Sequence, residues 1–525
     1  MRPVTLGSVA CVVVPVGVFE RDAPERVLRR AAEAIRAGAA WIEWRVDEVA
    51  GTAPGHTAIE ALLAAHPAPC IVTARSVDEG GTCRLGDGAF AQWLRQIGGL
   101  ASPPRWIDVE CARMNRSAEV REAAAHLRGL GVKVLCSFHD FAGRPVDLTA
   151  RAAAMQQMPV DAVKLVWMAR SIRDCLECRD LLASSALPMI ALCMGQAGLL
   201  SRVMAGAWGA LATFAAADSS AATAPGQTTV EALLGQWRFG SIDANTALTG
   251  LVGDPIGNSP GFVLHNRAYD AGDINAVYLP LPVAAGWEPL KASLATLIED
   301  LDGRFRGASI TIPHKLDALR FVRERGGEVS AIAEACGAVN TISVEHDGSL
   351  RADNTDVCGI LEPLEAMGAR TSGRAAVLGA GGVARAAVAA LCARGADVHV
   401  FNRSRDRAEA LVSAFTRSGA TSQRRSIQLG DRDGGPFDLV VQATSVGMAS
   451  SETAGLQAIE AVGLDVEALL EPKPAVLETI YDPVETPLVL AGREAGCQVA
   501  TGVDMWLSQA AAQQEIWFGE EAAND

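Results

Sequence analysis

A lysine inside an apolar run is the first residue that could do chemistry. Lys164 lies in the run DAVKLVWMA, where burial would lower the pKa of its amine. An unprotonated amine attacks carbonyl carbons, so this position suits Schiff-base chemistry. A lysine that reaches water from a strand end, or that pairs with a carboxylate, fits the run equally well. The run alone leaves both interpretations open.

His139 ends the preceding apolar run, KVLCSFHD. An imidazole can take up and return a proton near neutral pH. A histidine in such a run is more often a partly buried residue with satisfied hydrogen bonds. The catalytic interpretation gains weight because the two runs would be neighbouring strands of one sheet.

Eight short apolar runs alternate with segments of helical period before residue 240, which predicts a (β/α)8 barrel. The runs are SVACVVVPV, AAWIEWRVD, PCIVTAR, RWIDVEC, KVLCSFHD, AVKLVWMA, PMIALCMG and GALATFAAA. Barrels of this kind carry their chemistry at the carboxyl ends of the strands. The polar residues Glu43, Arg45, Asp47, Arg75 and His139 all lie late in their runs.

The composition narrows the function classes. With 525 residues, we expect two or three domains. A net charge of −15 argues against nucleic acid and anionic membranes as partners. The twelve cysteines are expected to be reduced thiols in the core, with no metal bound. We interpret the N-terminal apolar run as a strand, see no membrane span, and expect a cytoplasmic protein.

A glycine-rich turn follows the strand AAVL in the second half and precedes a helical segment. Its residues are Gly379, Ala380, Gly381 and Gly382. Such a turn lets the backbone approach a pyrophosphate at a helix N-terminus, as in dinucleotide-binding folds. A plain turn with no ligand is the alternative. The strand–turn–helix–strand context favours the nucleotide.

The end of the next strand bears on cofactor choice. An NAD site would place Asp or Glu there for the ribose 2′-hydroxyl. This chain instead has Asn402, Arg403, Ser404 and Arg407. The basic cluster suits a 2′-phosphate, so we expect NADP(H). A solvated basic helix start is the alternative, although arginine there opposes the helix dipole.

Spaced motifs in the first half resemble type I 3-dehydroquinate dehydratases. They are EWRVD, TARSVDEGG, SFHDF, VKL, MGQAGLLSR and APGQ. The resemblance implies that Lys164 forms an imine with the substrate ketone and that His139 moves the protons. It implies a carboxylate contact from Arg202 and a pocket shaped by Glu43, Arg45, Arg75, Met194, Thr223 and Gln227. Thr223 stands where the family usually has serine.

Motifs in the second half resemble shikimate dehydrogenases over residues 250–519. They are SITIPHK, GAVNTI, DNTDVCG, GAGG, NRS, QATSVGM, IYDPVETPL and GVDMWLSQA. The resemblance implies Lys315 and Asp356 as the catalytic pair, which would otherwise be interpreted as a surface ion pair. It implies substrate contacts from Ser259, Gly261, Thr311, Asn340, Tyr481 and Gln509. Thr444 and Gly502 would join the cofactor site.

The loop VGDPIGNSPGFVLHN departs from that family. Two serines usually hold the substrate carboxylate here. Counting back from His265 aligns Ser259 with the first serine and Gly261 with the second. A missing hydroxyl leaves space for the additional C1 hydroxyl of quinate, and glycine here resembles plant quinate dehydrogenases. Thr311 and the basic cluster still favour shikimate.

The whole chain therefore resembles a fusion of the two families that acts on small molecules, namely 3-dehydroquinate, 3-dehydroshikimate and shikimate. We expect a barrel at 1–240, a substrate domain at 248–360, a Rossmann NADP-binding domain at 361–495 and terminal helices at 496–525. A quinate-preferring dehydrogenase is one alternative. A non-catalytic quinate sensor is another, and the retention of Lys164, His139, Lys315 and Asp356 argues against it.

Overall fold

The computed structural model describes residues 10–65, 68–257, 259–301, 303–417, 426–431, 435–448 and 464–519. The chain forms two compact units. The first comprises residues 1–248 and 262–283, and the second comprises 249–261 and 284–525. The four domain boundaries given above stay a prediction.

The first unit contains the eight predicted strands. They are β1 (Cys11–Gly17), β2 (Trp41–Arg45), β3 (Cys70–Thr73), β4 (Trp106–Glu110), β5 (Lys133–Asp140), β6 (Ala162–Met168), β7 (Met189–Met194) and β8 (Ala212–Phe214). All neighbouring pairs are parallel, in the order β7-β6-β5-β4-β3-β2-β1-β8. The Leu211 N–H also donates to the Met189 carbonyl at 2.8 Å, which brings the last strand to the seventh. The predicted barrel is confirmed.

Helices alternate with these strands. They are α1 (Pro24–Arg36), α2 (Ala53–Ala65), α3 (Asp87–Gly98), α4 (Cys111–Arg116), α5 (Ala118–Gly129), α6 (Leu148–Gln156), α7 (Arg173–Ser184) and α8 (Leu199–Val203). The strands are apolar almost throughout because helices cover one face and the barrel interior the other. The polar side chains on the strands are therefore exceptions, and they mark the site.

Strand β9 (Ala247–Gly253), helix α9 (Gly261–Ala271) and strand β10 (Ala276–Pro282) follow the barrel. Next come β11 (Phe305–Ile310), β12 (Glu328–Val329), β13 (Thr341–Val344) and β14 (Leu350–Asp353), with α10 (Trp287–Asp300), α11 (Lys315–Glu324), α12 (Ala331–Cys336) and α13 (Asp356–Ala366). In the second unit the strands lie in the order β9-β11-β13-β14-β12.

The rest of the second unit is a Rossmann fold. Its strands are β15 (Arg374–Leu378), β16 (Asp397–Phe401), β17 (Ser426–Leu429), β18 (Leu439–Gln442), β19 (Ala475–Glu478) and β20 (Val499–Ala500). Its helices are α14 (Gly382–Ala393), α15 (Arg405–Arg417), α16 (Val466–Leu470), α17 (Pro487–Glu494) and α18 (Gly502–Phe518). The sheet is parallel, in the order β17-β16-β15-β18-β19-β20. This is the doubly wound order that opens a crevice between β15 and β18.

All twelve cysteines are free thiols. Cys175 and Cys178 form a C-x-x-C pair within α7, but their burial raises the pKa of both thiols, as expected of core residues. No helix among the described residues is long and apolar enough to cross a membrane.

Candidate active sites

One cavity at the carboxyl ends of the barrel strands unites the first set of predicted site residues. All nine line it: Glu43, Arg45, Arg75, His139, Lys164, Met194, Arg202, Thr223 and Gln227. The strands β2, β5, β6 and β7 carry five of them, and the segments that follow β3, β7 and β8 carry the other four. Parallel strands all end on one side of the barrel, so residues far apart in sequence meet there.

Lys164 is a buried amine on β6. Its Nζ lies 3.9 Å from Glu43 Oε1 and 3.7 Å from the centre of the Phe214 ring. Burial lowers the pKa of Lys164, and the neighbouring Arg75 and Arg45 lower it too, against Glu43 and Asp108. The cavity thus favours the unprotonated amine more than water does, which is the form that attacks a carbonyl carbon.

His139 and Glu79 form a hydrogen-bonded pair, with 3.0 Å between Nδ1 and Oε2. Burial holds the pKa of His139 well below its usual range, and Arg75 and Lys164 add to the effect. Burial also raises the pKa of Glu79 to about 8. Both shifts favour the uncharged forms of the two groups. When Glu79 ionises, the one proton of the neutral imidazole lies on Nδ1, and Nε2 is free to accept another.

Arg75 lines the cavity as predicted, but most of its guanidinium is bound by protein. It contacts Glu79 at 3.2 Å, Asp108 at 2.8 Å and Glu110 at 3.5 Å, and it donates to Ser137 Oγ at 2.7 Å. Together these carboxylates raise the pKa of Arg75. Arg75 therefore joins the segment after β3 to strands β4 and β5 beneath the cavity.

Sequence reasoning missed Glu79, Asp108 and Glu110. The signal was present, because Asp108 and Glu110 alternate with apolar residues in the buried strand WIDVE. Carboxylates at such positions need a buried cation. The identity of that cation, Arg75, depends on strand neighbours that the sequence does not display.

Arg202 is a buried guanidinium to which no described residue brings a carboxylate. Only 2% of the residue is exposed, and Nη1 donates to the Phe214 carbonyl at 3.3 Å. Its Nε and Nη2 have no hydrogen-bond partner within the described part of the chain. Burial lowers the pKa of Arg202 to about 10. An orphaned buried cation that lines a cavity is a ready site for an anion.

The remaining cavity residues lie around this centre. Arg45 pairs with Asp47 at 2.7 Å, and Met194 ends β7 as a buried apolar wall. The Thr223 hydroxyl and N–H both donate to Gln227 Oε1, at 3.2 and 2.7 Å. This bond closes the loop after β8 on itself at the cavity rim.

A second cluster forms in the second unit around Lys315, the first residue of α11. Its Nζ donates to Asp356 Oδ2. Asn340 Nδ2 donates to Asp356 Oδ1 at 2.8 Å and to Gln509 Oε1 at 3.2 Å. Gln509 is within reach because Gly359 lets α13 approach α18 closely; a Cβ there would lie 2.6 Å from the Met505 carbonyl. Four predicted residues are thus connected by hydrogen bonds.

Ser259 and Tyr481 also meet. Their side chains hydrogen-bond to each other, while burial raises the pKa of the Tyr481 phenol. Gly261 is the first residue of α9, and its N–H donates to Ser259 Oγ at 3.3 Å. Thr311 lies between β11 and Lys315, half-buried, with its N–H on the Val252 carbonyl at 2.9 Å.

The glycine-rich turn lies where the Rossmann fold predicts, between β15 and α14. Gly379 has a φ of +120°, and a Cβ there would lie 2.5 Å from the Ala443 carbonyl. A Cβ at Gly382 would lie 2.8 Å from Lys315 Cδ. The turn that suits a dinucleotide therefore borders the lysine cluster. Ala380 is partly buried against the core, and Gly381 precedes the helix.

The remaining nucleotide-site candidates follow β16, follow β18 or begin α18. Arg403 and Arg407 are exposed, and neither makes an ion pair with any described residue. Asn402 Nδ2 bonds the Ser404 carbonyl at 2.8 Å, and Thr444 caps a tight turn after β18. A Cβ at Gly502 would lie 2.1 Å from the Ile480 carbonyl, so this glycine has a packing role.

Three families match the chain. They are the type I 3-dehydroquinase family at residues 14–242, the shikimate dehydrogenase substrate binding domain at 251–342, and the shikimate/quinate 5-dehydrogenase family at 364–447.

Full-length relatives match as well. A chloroplastic bifunctional 3-dehydroquinate dehydratase/shikimate dehydrogenase of Arabidopsis thaliana is 29% identical over 96% of this chain and 82% of its own length. A shikimate dehydrogenase (NADP(+)) of Citrifermentans bemidjiense is 38% identical over 53% of this chain and 92% of its own length. A solved structure of dehydroquinate dehydratase and shikimate dehydrogenase from S. pombe AroM is 23% identical over 98% of this chain and 96% of its own, with a TM-score of 0.40.

The charge balance beneath the barrel cavity yields a stability prediction. Arg75→Met leaves Glu79, Asp108 and Glu110 buried without their shared cation. We expect a loss of about 3–5 kcal/mol in unfolding free energy, larger as pH rises because Glu79 and Asp108, whose pKa values burial raises, then ionise without this cation. Urea denaturation followed by tryptophan fluorescence measures it. Arg128→Met, which breaks the exposed pair with Asp161, should lose under about 1 kcal/mol. Equal losses would contradict the account.

Proposed function

This chain belongs to the family of bifunctional type I 3-dehydroquinate dehydratase/shikimate dehydrogenases, and we propose that it performs both reactions. The barrel would dehydrate 3-dehydroquinate to 3-dehydroshikimate. The second unit would reduce that product to shikimate with NADPH. The observation that carries the proposal is the single cavity in which a buried amine, an imidazole–carboxyl pair and an unpaired guanidinium converge.

Lys164 is the proposed nucleophile of the dehydratase. Its amine attacks the substrate ketone, water leaves, and a protonated imine remains. That imine withdraws electrons from the adjacent carbon, which makes the C–H there acidic. The lowered pKa of Lys164 supports this role because it increases the amine fraction at neutral pH.

His139 is the proposed acid and base. With Glu79 ionised and the imidazole proton on Nδ1, Nε2 accepts the proton from the carbon next to the imine. It then returns a proton to the C1 hydroxyl, which leaves as water while the double bond forms. Hydrolysis of the imine releases 3-dehydroshikimate and restores the amine. Glu79, at 3.0 Å from Nδ1, orients the ring and stabilises the imidazolium between the two transfers.

Arg202 is the proposed partner of the substrate carboxylate. Its Nε and Nη2 are adjacent donors that can bind a carboxylate in a bidentate manner. The enclosed position makes the interaction strong, since no protein anion among the described residues competes for it.

The Lys315 cluster is the proposed site of reduction. NADPH, when bound, supplies a hydride to the substrate carbonyl carbon. The Lys315 ammonium donates a proton to the developing alkoxide, and the Asp356 carboxylate holds that ammonium in place. The Asn340 and Gln509 amides fix the orientation of Asp356 and offer hydrogen bonds to ring hydroxyls. Ser259 and Tyr481 would bind the substrate carboxylate.

NADP fits the nucleotide end of the second unit. The glycine turn leaves room for a pyrophosphate at the start of α14. Arg403 and Arg407, exposed and without ion-pair partners among the described residues, suit a 2′-phosphate.

Quinate is a second candidate substrate for the dehydrogenase half. The specific observation is Gly261, where a hydroxyl-bearing serine would give the carboxylate another donor. The missing side chain leaves space that the C1 hydroxyl of quinate could fill.

Borohydride reduction tests the imine. Incubation with 3-dehydroquinate and borohydride should reduce the imine to a stable secondary amine. The adduct on Lys164 contains the carbon skeleton of either the substrate or the dehydrated product, and peptide mass spectrometry locates it. Lys164→Met should abolish the adduct, whereas Lys133→Met, at the exposed start of β5, should retain it. An adduct on another lysine, or none in an active preparation, would refute the mechanism.

Cofactor choice is tested by removing the basic cluster. The double variant Arg403→Ala/Arg407→Ala should raise KM for NADP roughly 10- to 100-fold, because a 2′-phosphate loses two charged donors. KM for NAD should change little. Arg405→Ala, whose side chain is paired with Glu409 at 2.8 Å, is the matched control and should alter neither. A parallel loss with NAD and NADP would argue against 2′-phosphate recognition.

Substrate preference is tested at Gly261. Gly261→Ser should lower KM for shikimate by roughly 3- to 10-fold by restoring one donor, and it should not improve quinate. Gly261→Ala adds bulk without a hydroxyl and should not lower KM for shikimate. Steady-state kinetics with both substrates gives the answer. An unchanged or higher KM for shikimate in the serine variant would show that Gly261 does not determine substrate preference.

A further inference from the structure

Glu478 is a buried carboxylate that the two reactions do not use. It ends strand β19, and its relative exposure is 0%. Oε1 accepts the N–H groups of Thr479 at 2.8 Å and Ile480 at 3.0 Å. Oε2 accepts the Thr486 hydroxyl at 2.7 Å. Among the described residues, no cation lies beside Glu478, and a carboxylate in that situation is costly to bury. Its three donors offset part of that cost, which indicates that the carboxylate has a structural role.

The donors of Glu478 come from both ends of one loop, residues 479–486. Thr486 also caps α17, because its Oγ1 accepts the Val489 N–H at 3.3 Å. Glu478 therefore ties the start of the loop to its end and to the helix that follows. A loop closed in this way has fewer conformations than a free one, which reduces the entropy lost on ordering its side chains.

This loop carries Tyr481. The Tyr481 hydroxyl bonds to Ser259, and its ring lies 6.2 Å from the Trp506 ring. The preceding residue, Ile480, is fixed on two sides. Glu478 holds its N–H, and Gly502 allows its carbonyl to approach α18 closely. The position of the phenol thus depends on the backbone that Glu478 binds.

We propose that Glu478 is a positioning residue of the dehydrogenase site, which fixes the 479–486 loop so that the Tyr481 hydroxyl faces Ser259 where the substrate carboxylate binds. The inference rests on the proposed reduction of 3-dehydroshikimate. Its effect is expected in KM for shikimate rather than in kcat, because Glu478 touches neither the lysine cluster nor the nucleotide turn.

Burial raises the pKa of Glu478 to about 7, and the groups that oppose the shift are neutral, namely the Thr486 hydroxyl and the Ile480 and Thr479 amides. Both oxygens of the Glu478 carboxylate accept hydrogen bonds from the loop, and protonation of one oxygen weakens its ability to accept. The loop is therefore held best above pH 7 and less well below it. In the unaltered protein, KM for shikimate should rise as pH falls through about 7.

Glu478→Gln is the central variant. The amide has the same shape but cannot accept from Thr486 with its nitrogen. We expect KM for shikimate to rise roughly 3- to 10-fold with kcat and KM for NADP nearly unchanged, and the pH dependence of KM near neutrality to disappear. Dehydratase kinetics, measured in the same preparation, should stay constant.

A double-mutant cycle with Tyr481→Phe separates positioning from general stability. If Glu478 acts through the Tyr481 hydroxyl, the double variant should have the KM of Tyr481→Phe alone. Val476→Ala, a buried change on the same strand, controls for lost stability and should leave KM unchanged at a matched thermal midpoint. Additive effects, or an equal rise in KM for Val476→Ala, would overturn the proposal. Absence of NADP-dependent shikimate oxidation by the unaltered protein would instead overturn the proposed function and this inference together.

Discussion

Burial of positive charge inside the barrel is the constraint on which the rest of the dehydratase site depends. Arg75, Lys164 and Arg202 all lie beneath the cavity mouth with little exposure, and each is treated differently. Arg75 is surrounded by carboxylates and stays charged. Burial lowers the pKa of Lys164, and the one carboxylate within contact distance among the described residues, Glu43 at 3.9 Å, does not offset it. Arg202 has no carboxylate partner among the described residues, so we propose that it binds a ligand. One fold thus gives three cations three roles through the number of anions it places beside each.

The second unit depends on a different constraint, namely glycines that let the backbone of one helix approach a neighbouring helix or side chain closely. Gly382 lets Lys315 lie over the start of α14, the proposed nucleotide-binding helix, and Gly359 lets Gln509 reach Asn340. Any side chain at these positions would push apart groups that must act together. The glycine-rich turn and the lysine cluster are therefore adjacent, as hydride transfer next to a proton donor would require.

The sequence was sufficient for the fold and for most of the residues that meet in the two clusters. Alternating apolar runs predicted the barrel, and parallel strands bring their ends together whatever the connecting helices contain. Glu79, Asp108 and Glu110 were missed because their significance lies in which strand neighbours share Arg75. Glu478 was missed although its partners lie within eight residues along the chain. The reason is that only the folded loop directs their donors towards one carboxylate. A single sequence shows the residue types but does not show which residues contact each other in the folded chain.

The two reactions of this chain are successive, and we propose that Lys164 starts the first and Lys315 completes the second. The most direct measurement adds 3-dehydroquinate and NADPH to the protein and follows NADPH absorbance. The unaltered chain should consume NADPH and form shikimate. Lys164→Met should consume none from 3-dehydroquinate but react normally with 3-dehydroshikimate, and Lys315→Met should accumulate 3-dehydroshikimate. Continued NADPH consumption from 3-dehydroquinate by pure Lys164→Met protein would contradict the account.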